Sequence, residues 1–146
     1  MNRTTLLALA ERVEAATRGS DELDAHIRCA LFGKPNNFVK QSHINGAWCV
    51  WRIDGAGREV AWDGNGLTQL QRLGAFTASL DAAMSLVPSG LILRNYQSSR
   101  FVPHSCEVAL SWAHGGWLGN SDHSFALALT AACLRARAIA GSMTDD

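Results

Sequence analysis

Two arginines and a tryptophan in the second half of the chain are the residues best suited to binding chemistry. Arg94 and Arg100 bracket a predicted turn at residues 97–100, and the planar guanidinium group suits phosphate or carboxylate recognition. Trp117 follows glycines in a predicted loop, where an aromatic ring can close over a ligand. If these side chains converge, they form a small pocket for a nucleotide-like anion. A solvated surface arginine and a tryptophan that covers a sheet end are the structural alternatives. The predicted ligand- or partner-binding residues are Arg94, Arg100, His114, Trp117 and Asn120.

The segment His104-Ser105-Cys106-Glu107 places three potential metal ligands close together. On a strand, His104 and Cys106 would share one face and Glu107 would point to the other. Zinc requires three or four converging ligands, and the sequence has no second pair with metal-ligand spacing. We therefore predict no metal site, no cofactor and no catalytic residue. A small hydrolase with a Cys–His or His–Glu site stays open as an alternative, because such partners meet in space rather than in sequence.

Composition limits the classes of partner. The 146 residues include 13 basic and 13 acidic side chains, which gives a formal net charge of zero. This balance disfavours a general nucleic-acid binder, whose affinity depends on clustered Lys and Arg, and also an acidic DNA mimic. The four widely spaced cysteines predict reduced thiols in a cytoplasmic protein rather than a disulfide framework. No apolar run approaches the roughly 18 residues of a membrane span, so no membrane association is expected.

Apolar periodicity predicts four helices and two groups of strands within a single domain that covers residues 1–146. Short links rich in glycine and aspartate favour antiparallel pairing. The predicted fold is α+β, with an antiparallel β-sheet of about four to five strands covered by helices in an α/β/α-type sandwich. The predicted helices cover about residues 4–17, the stretch from the Ser20 cap to Gly33, a short helix within the run Phe76–Gly90, and residues 124–140 with Ser124 as the cap. The predicted strands cover residues 47–53, 58–62, 91–96, 101–104 and 107–112, and the last two are alternatively one strand interrupted by Pro103. Residues 34–45 and 113–122 are predicted loops.

The run Phe76–Gly90 carries the signals for both ends of a short helix. Ser79 or Thr77 can cap its N-terminus, and Asp81 in the first turn favours the positive end of the helix dipole. Pro88 cannot continue the helix. The predicted buried stripe consists of Leu80, Ala83, Met84 and Val87.

Three segments of the chain resemble a family of small phage and prophage proteins, the phage ABA-sandwich domain. They are the N-terminal stretch AERVEAAT followed by ELD (residues 10–17 and 22–24), the run Phe76–Gly90, and the stretch ALALTAACLRARA at residues 126–138. They occur in the family's order. Members of the family mostly have no assigned activity, so the resemblance implies a fold and an origin and supplies no catalytic residues. Residues 34–75 and 91–123 depart most from the family, and any specific activity is expected there.

These observations favour a non-enzymatic phage accessory protein that acts by binding. Its sharper form is an anti-defence inhibitor in the host cytoplasm, because phages use such small proteins chiefly against host systems. It would either block a host immune protein, such as a CRISPR complex, or sequester a nucleotide-like small molecule, with a possible homo-oligomer interface forming the site. The alternatives are the hydrolase named above and a virion structural or assembly protein.

Overall fold

The computed structural model describes residues 2–62, 74–97, 104–110 and 115–144. Within these residues the chain has helices and antiparallel sheets, which confirms the predicted α+β class. The described strands form two three-stranded sheets, with orders β1-β2-β3 and β4-β5-β6, rather than one sheet of four to five strands. In chain order the described elements are α1 (Arg3–Ala15), α2 (Asp21–Phe32), β1 (Phe38–Gln41), β2 (Trp48–Ile53), β3 (Glu59–Ala61), α3 (Leu80–Met84), β4 (Ile92–Gln97), β5 (His104–Ala109), β6 (Trp117–Ser121) and α4 (Phe125–Thr144).

The two N-terminal helices form as their sequences predict. Asn2 accepts hydrogen bonds from the backbone N–H groups of the first turn of α1, and Ser20 accepts one from Leu23 at 3.2 Å. Asp21 and Glu22 stand in the first turn of α2, where they stabilise the positive end of its dipole. The predicted stripe of α1 is buried, namely Leu6, Leu9, Ala10 and Val13. In the predicted stripe of α2, Leu23, Ile27 and Leu31 are buried, whereas its fourth member, Ala30, is only partly buried.

Helix α4 is the centre of the core. It packs against α1, α3, β5 and β6, and its Ser124 cap accepts a hydrogen bond from Leu127 at 3.1 Å, as predicted. The sequence predicts one buried stripe on this helix, yet almost its whole circumference is buried. A helix that is apolar all round needs neighbours on every side. The buried residues are Ala126 to Leu134 without interruption, together with Ala136 and Ala138.

Strand β6 crosses α4 at very short range. A Cβ atom at Gly119 would lie 2.6 Å from the backbone nitrogen of Ala132 and closer still to the carbonyl oxygen of Ala128. Only a residue without a side chain permits this approach. The predicted loop over residues 113–122 is therefore wrong for Trp117–Ser121, because sheet pairing with β5 and contact with α4 order a glycine-rich segment that has little strand propensity.

Helix α3 is shorter than predicted and turns a different side to the core. Its Ser79 cap is confirmed by a hydrogen bond from Ala82 at 3.3 Å. Of the predicted stripe, Ala83 is buried and Val87 packs partly buried against the core, whereas Leu80 and Met84 are 45% and 41% exposed. Ala82 and Leu86, outside the predicted stripe, are buried. After Met84 the backbone continues in tighter turns, since Ser85 bonds to Ala82 and Leu86 to Ala83. This winding breaks the 3.6-residue period on which the stripe prediction depends.

The first sheet includes a strand that the sequence does not reveal. Phe38–Gln41 fall in the predicted loop but pair with β2, with Val39 opposite Val50. This strand has too few apolar residues to stand out from a loop, and only its pairing stabilises it. Helix α2 contacts β1 and β2. Val50 is the strand residue of this sheet that is buried.

Residues 101–103 of the predicted strand 101–104 and residues 111–112 of the predicted strand 107–112 lie outside the described residues. Within the described part of the chain, no helix has both the length and the apolar character that crossing a membrane requires.

Candidate ligand groove

Arg94, the first predicted site residue, is held by a carboxylate. Its Nε and Nη2 atoms donate to Glu107 Oε1 at 2.9 and 2.8 Å, and Nη1 donates to the carbonyl oxygen of Leu110 at 3.3 Å. A register shift between Leu93 and Asn95 in the β4–β5 pairing lies at this position, and such bulges re-aim side chains. An anion at Arg94 would therefore have to compete with Glu107.

Trp117 and Arg94 lie on opposite faces of the second sheet. Trp117 stands opposite Val108, which is fully buried, and packs against the core. Glu107, which binds Arg94, is the next residue along β5 and therefore points to the other face. Asn120 stands opposite Ser105 and shares the Glu107 face. Arg100 and His114 lie outside the described residues, so the structure brings together no pocket from the described members of the set.

The His104–Glu107 segment follows the predicted alternation. The His104 and Phe125 rings pack edge to face, with their centroids 4.7 Å apart. Cys106 is buried, and Glu107 points to the opposite face of the sheet. His104 Nδ1 lies 3.2 Å from the carbonyl oxygen of Ser121. Among the residues that the structure describes, no group of three His, Cys, Asp or Glu side chains is placed to hold a metal ion.

An open groove lies along α2, away from the predicted site residues in sequence. Helix α2 contacts both α1 and β1, so it forms the floor and the other two elements form the walls. One section has a volume of about 460 Å³, and an adjoining section of about 660 Å³ shares four lining residues with it. We call the two sections together the α1–β1 groove. Its lining residues are Asn2, Arg3, Thr4, Thr5, Ala8, Leu9 and Arg12 from the first helix and its cap, His26, Cys29 and Ala30 from α2, and Gly33, Lys34, Pro35, Asn37, Phe38 and Val39 from the segment that follows.

The fully charged residues that line the groove are Arg3, Arg12 and Lys34, and the lining contains no Asp or Glu. In a chain with equal numbers of acidic and basic residues, this is a local excess of positive charge. Outside the lining, Glu22 Oε1 lies 4.0 Å from His26 Nε2. The groove therefore favours an anionic ligand.

Glu14 and Glu11 of α1 and Asp24 of α2 interact with groups outside the groove lining. Glu14 forms a two-armed ion pair with Arg135 of α4, at 2.6 and 2.7 Å, and also accepts the backbone N–H of Asn120 at 2.8 Å. Burial raises the pKa of Glu14, but the hydrogen bonds from Arg135 and Asn120 outweigh burial and leave the pKa below its ordinary value. The hydrogen bond and charge of Glu14 raise the pKa of Arg135 against the effect of burial, and the charge of Glu11 acts in the same direction as Glu14.

Asp24 of α2 is the most buried carboxylate that the structure describes, with 4% exposure. Its Oδ1 accepts hydrogen bonds from the backbone N–H of Thr77 at 2.9 Å and from the Thr77 hydroxyl at 2.8 Å. Burial raises the pKa of Asp24 above its usual value, although the Thr77 hydrogen bonds oppose this effect. Asp24 thus joins α2 to the segment before α3 and does not face the groove.

The groove floor carries a histidine and a cysteine that are one helical turn apart. His26 and Cys29 are at i and i+3, which places them on one face of α2. Burial and the charge of Arg12 lower the pKa of His26, and burial raises the pKa of the Cys29 thiol. Both side chains are therefore neutral at pH 7. A neutral thiol is a poor nucleophile, so the floor is suited to contact rather than to covalent catalysis.

Sequence reasoning missed this groove for a definable reason. Thr5, Ala8 and Arg12 recur every three to four residues on the side of α1 away from its core stripe, which is the one local signal available. The sequence does not predict that this side of α1 faces β1, because β1 itself could not be recognised.

Comparison with known proteins adds no family assignment, since no family model, curated protein or solved structure matches this chain. The resemblance of three of its segments to phage ABA-sandwich proteins stays a prediction from the sequence.

Proposed function

We propose that this chain is a non-enzymatic phage accessory protein that acts in the host cytoplasm by binding, as an anti-defence inhibitor. The phage origin and the inhibitory role rest on the sequence resemblance. The binding mode rests on one structural observation, which is the α1–β1 groove with Arg3, Arg12 and Lys34 as its fully charged lining residues.

The ionisable groups outside the groove support binding over catalysis. The Glu14–Arg135 and Arg94–Glu107 pairs connect structural elements and are each less than 30% exposed. Cys106 and Cys133 are buried, and burial raises their pKa values to about 11 and about 12. Thiols of this kind are inert.

A hydrolase is the second candidate, because His26 and Cys29 stand side by side in the groove. Its nucleophile would require a thiolate, and a raised pKa for Cys29 opposes this role. If Cys29→Ser left the biological effect of the protein unchanged, the cysteine-hydrolase candidate would be eliminated.

The test of the proposal is native mass spectrometry of the protein purified from host cells, followed by heating to release small ligands. A co-purifying host protein, or a released nucleotide-like mass, would support binding. A clean monomer or homo-oligomer with neither would contradict the proposal. The same spectra report the oligomeric state.

The groove is tested in the same experiment with a matched pair of variants. Arg12→Glu reverses a charge in the groove, whereas Arg58→Glu reverses the charge of an arginine in the β2–β3 turn whose side chain is 78% exposed. We expect partner capture to be lost in the first variant and retained in the second. Equal capture by both would exclude the α1–β1 groove as the binding site.

A further inference from the structure

Two side chains from the helices bond to the backbone edge of β6. In the described sheet, β6 is an edge strand whose strand partner is β5. The backbone N–H of Asn120 donates to Glu14 Oε2 at 2.8 Å, and the carbonyl oxygen of Leu118 accepts a hydrogen bond from Arg135 Nη1 at 2.8 Å. Arg135 also donates to both carboxylate oxygens of Glu14, at 2.6 and 2.7 Å. We call Glu14 and Arg135 together the edge pair.

An added strand would bond to the same backbone groups. Leu118 and Asn120 are two residues apart, so their N–H and C=O groups point to the same side of β6. Leu118 is 50% exposed and Asn120 is also exposed, so this edge faces solvent. Unpaired N–H and C=O groups along an exposed edge form a template on which another chain can pair. The edge pair satisfies one such N–H and one such C=O.

The other edge strands of the two described sheets carry protective features of their own. Strand β1 has four residues and includes Lys40, and β3 has three residues. Strand β4 has a register shift between Leu93 and Asn95. Short length, a lysine on the edge and a bulge each hinder pairing with another chain.

Strand β6 has no comparable feature in its own sequence. Trp117–Ser121 contains neither a charged residue nor a proline, and it pairs with β5 in one unbroken register. Its five residues are an ordinary strand length, and Leu118 adds an exposed apolar side chain beside the edge. The charges at this edge come instead from the edge pair, and Glu14 is 106 positions away from Asn120 in the sequence.

The geometry of this edge suits pairing with an identical strand. Two β6 strands related by a two-fold axis would run antiparallel, and opposed residues in a hydrogen-bonded position exchange both of their bonds. With the axis at Gly119, the Asn120 N–H of each copy would donate to the Leu118 carbonyl oxygen of the other copy. These are the two groups that the edge pair occupies, so the edge pair and a second copy compete for them.

We propose that the edge pair blocks association of this chain with a second copy of itself through β6. Without Glu14 and Arg135, two copies join β6 to β6 and form one continuous sheet from their second sheets. The inference goes beyond the proposed function and does not depend on it.

The test measures the average mass of the full-length protein by sedimentation equilibrium over a range of concentrations. The variants are Glu14→Ala, Arg135→Ala and the combination of both. We expect the mass of the double variant to rise with concentration toward twice that of the original chain. Each single variant should show a smaller rise, because one member of the edge pair remains. Circular dichroism checks each fold, and the single variants decide the question if the double variant unfolds.

A rescue variant and two controls show whether the edge itself is responsible. Leu118→Lys, added to the double variant, places a lysine on the edge and should return the mass to that of the original chain. Glu11→Ala removes a carboxylate three residues before Glu14 on the same helix. Asp24→Ala removes the hydrogen bonds to Thr77, which do not involve β6. Neither control should change the mass.

Several results would overturn the inference. One is a mass that stays constant in every folded variant of the edge pair. Another is association that Leu118→Lys leaves unchanged, which would place the contact on another surface. Equal association of Asp24→Ala would assign the effect to general loss of stability. Finally, if Leu118→Lys alone converted the original chain to a smaller species, the edge would be open despite Glu14 and Arg135.

Failure of this inference is distinguishable from failure of the proposed function. Co-purification of a host protein or a small ligand decides the proposed function, whereas the mass of the isolated chain and its variants decides the role of the edge pair.

Discussion

The two sheets of this protein are built from similar three-stranded antiparallel patterns but are buried to very different extents. The second sheet packs on α4, and Cys106, Val108 and Ala109 of its central strand are all buried. The first sheet meets α2, and among its strand residues Val50 is the buried one. The second sheet is therefore part of the core, whereas the first sheet provides one wall of the groove.

The largest expected difference between the two regions is in thiol protection. Cys29 and Cys49 belong to α2 and the first sheet and are partly exposed, whereas Cys106 and Cys133 belong to the second sheet and α4 and are buried. Buried thiols react only when the structure opens. We expect native labelling with iodoacetamide to modify Cys106 and Cys133 about a thousandfold more slowly than Cys49, as measured by peptide mass spectrometry. Comparable rates for all four thiols would remove the contrast between the regions.

The next largest effect concerns glycines. Gly119→Ala places a Cβ against the backbone of α4, so strand and helix must separate, and we expect a loss of about 3 kcal/mol in the free energy of unfolding. Gly55→Ala in the β2–β3 turn is the control, because its Cβ would meet no atom within 4 Å, and it should change stability by less than about 0.5 kcal/mol. The free energies of unfolding of both variants are measured by urea denaturation. If Gly119→Ala were as mild as its control, the close approach of β6 to α4 would be refuted.

Variants of Asp24 test the hydrogen-bonded contact between α2 and the segment before α3. Asp24→Ala leaves the Thr77 N–H without its acceptor, so we expect the free energy of unfolding to fall by about 2 kcal/mol. Asp24→Asn keeps an acceptor oxygen and removes the buried charge, so at pH 7 it should be about as stable as the original chain or more stable. Because the folded-state pKa of Asp24 is raised, its contribution to stability is present below its unfolded pKa, near 3.9, and is lost as the pH rises through the folded value. A loss of stability in Asp24→Asn as large as that in Asp24→Ala would contradict this sign.

A variant of Glu14 tests the contact between α1, β6 and α4 and has the smallest expected effect. Glu14→Gln breaks the ion pair with Arg135. Because this pair is partly exposed to solvent, we expect the free energy of unfolding to fall by about 1 kcal/mol at pH 7. The folded-state pKa of Glu14 is lowered, so its contribution is present above its unfolded pKa, near 4.3, and is lost as the pH falls through the folded value. The gap between the original chain and the variant should therefore close below about pH 4 in thermal unfolding scans. A gap that persists in acid would show that packing, rather than charge, explains the effect.

The locally determined features were the easiest to predict. The caps at Ser20, Ser79 and Ser124 depend on a side chain and a backbone N–H about three residues away, and all three are confirmed. The buried stripes of α1 and α2 follow from the helical period over three turns. In α3, Ala83 of the predicted stripe is buried but Leu80 and Met84 are exposed, because five residues are too few to fix that period.

The candidate site could not be predicted in the same way. Arg94 is suited to anion recognition by its chemistry, yet a bulge in β4 sets it against Glu107. Trp117 lies beyond a glycine-rich stretch, but strand pairing places it on the core face. The groove residues gave no strong signal, because they come from separate segments of the chain and their significance lies in their proximity.

The sequence by itself determined the helices, their caps, the antiparallel character of the strands and the α+β class, because these features depend on interactions between residues near one another in the chain. Only the tertiary structure decided that the strands divide into two sheets, that Gly119 lets β6 approach α4, and that the acidic residues Glu14 and Asp24 turn away from the groove while Arg3 and Arg12 line it. These outcomes depend on contacts between residues dozens of positions apart, such as Glu14 with Arg135 and Asp24 with Thr77. Local propensity does not encode such contacts, and burial of the core selects them.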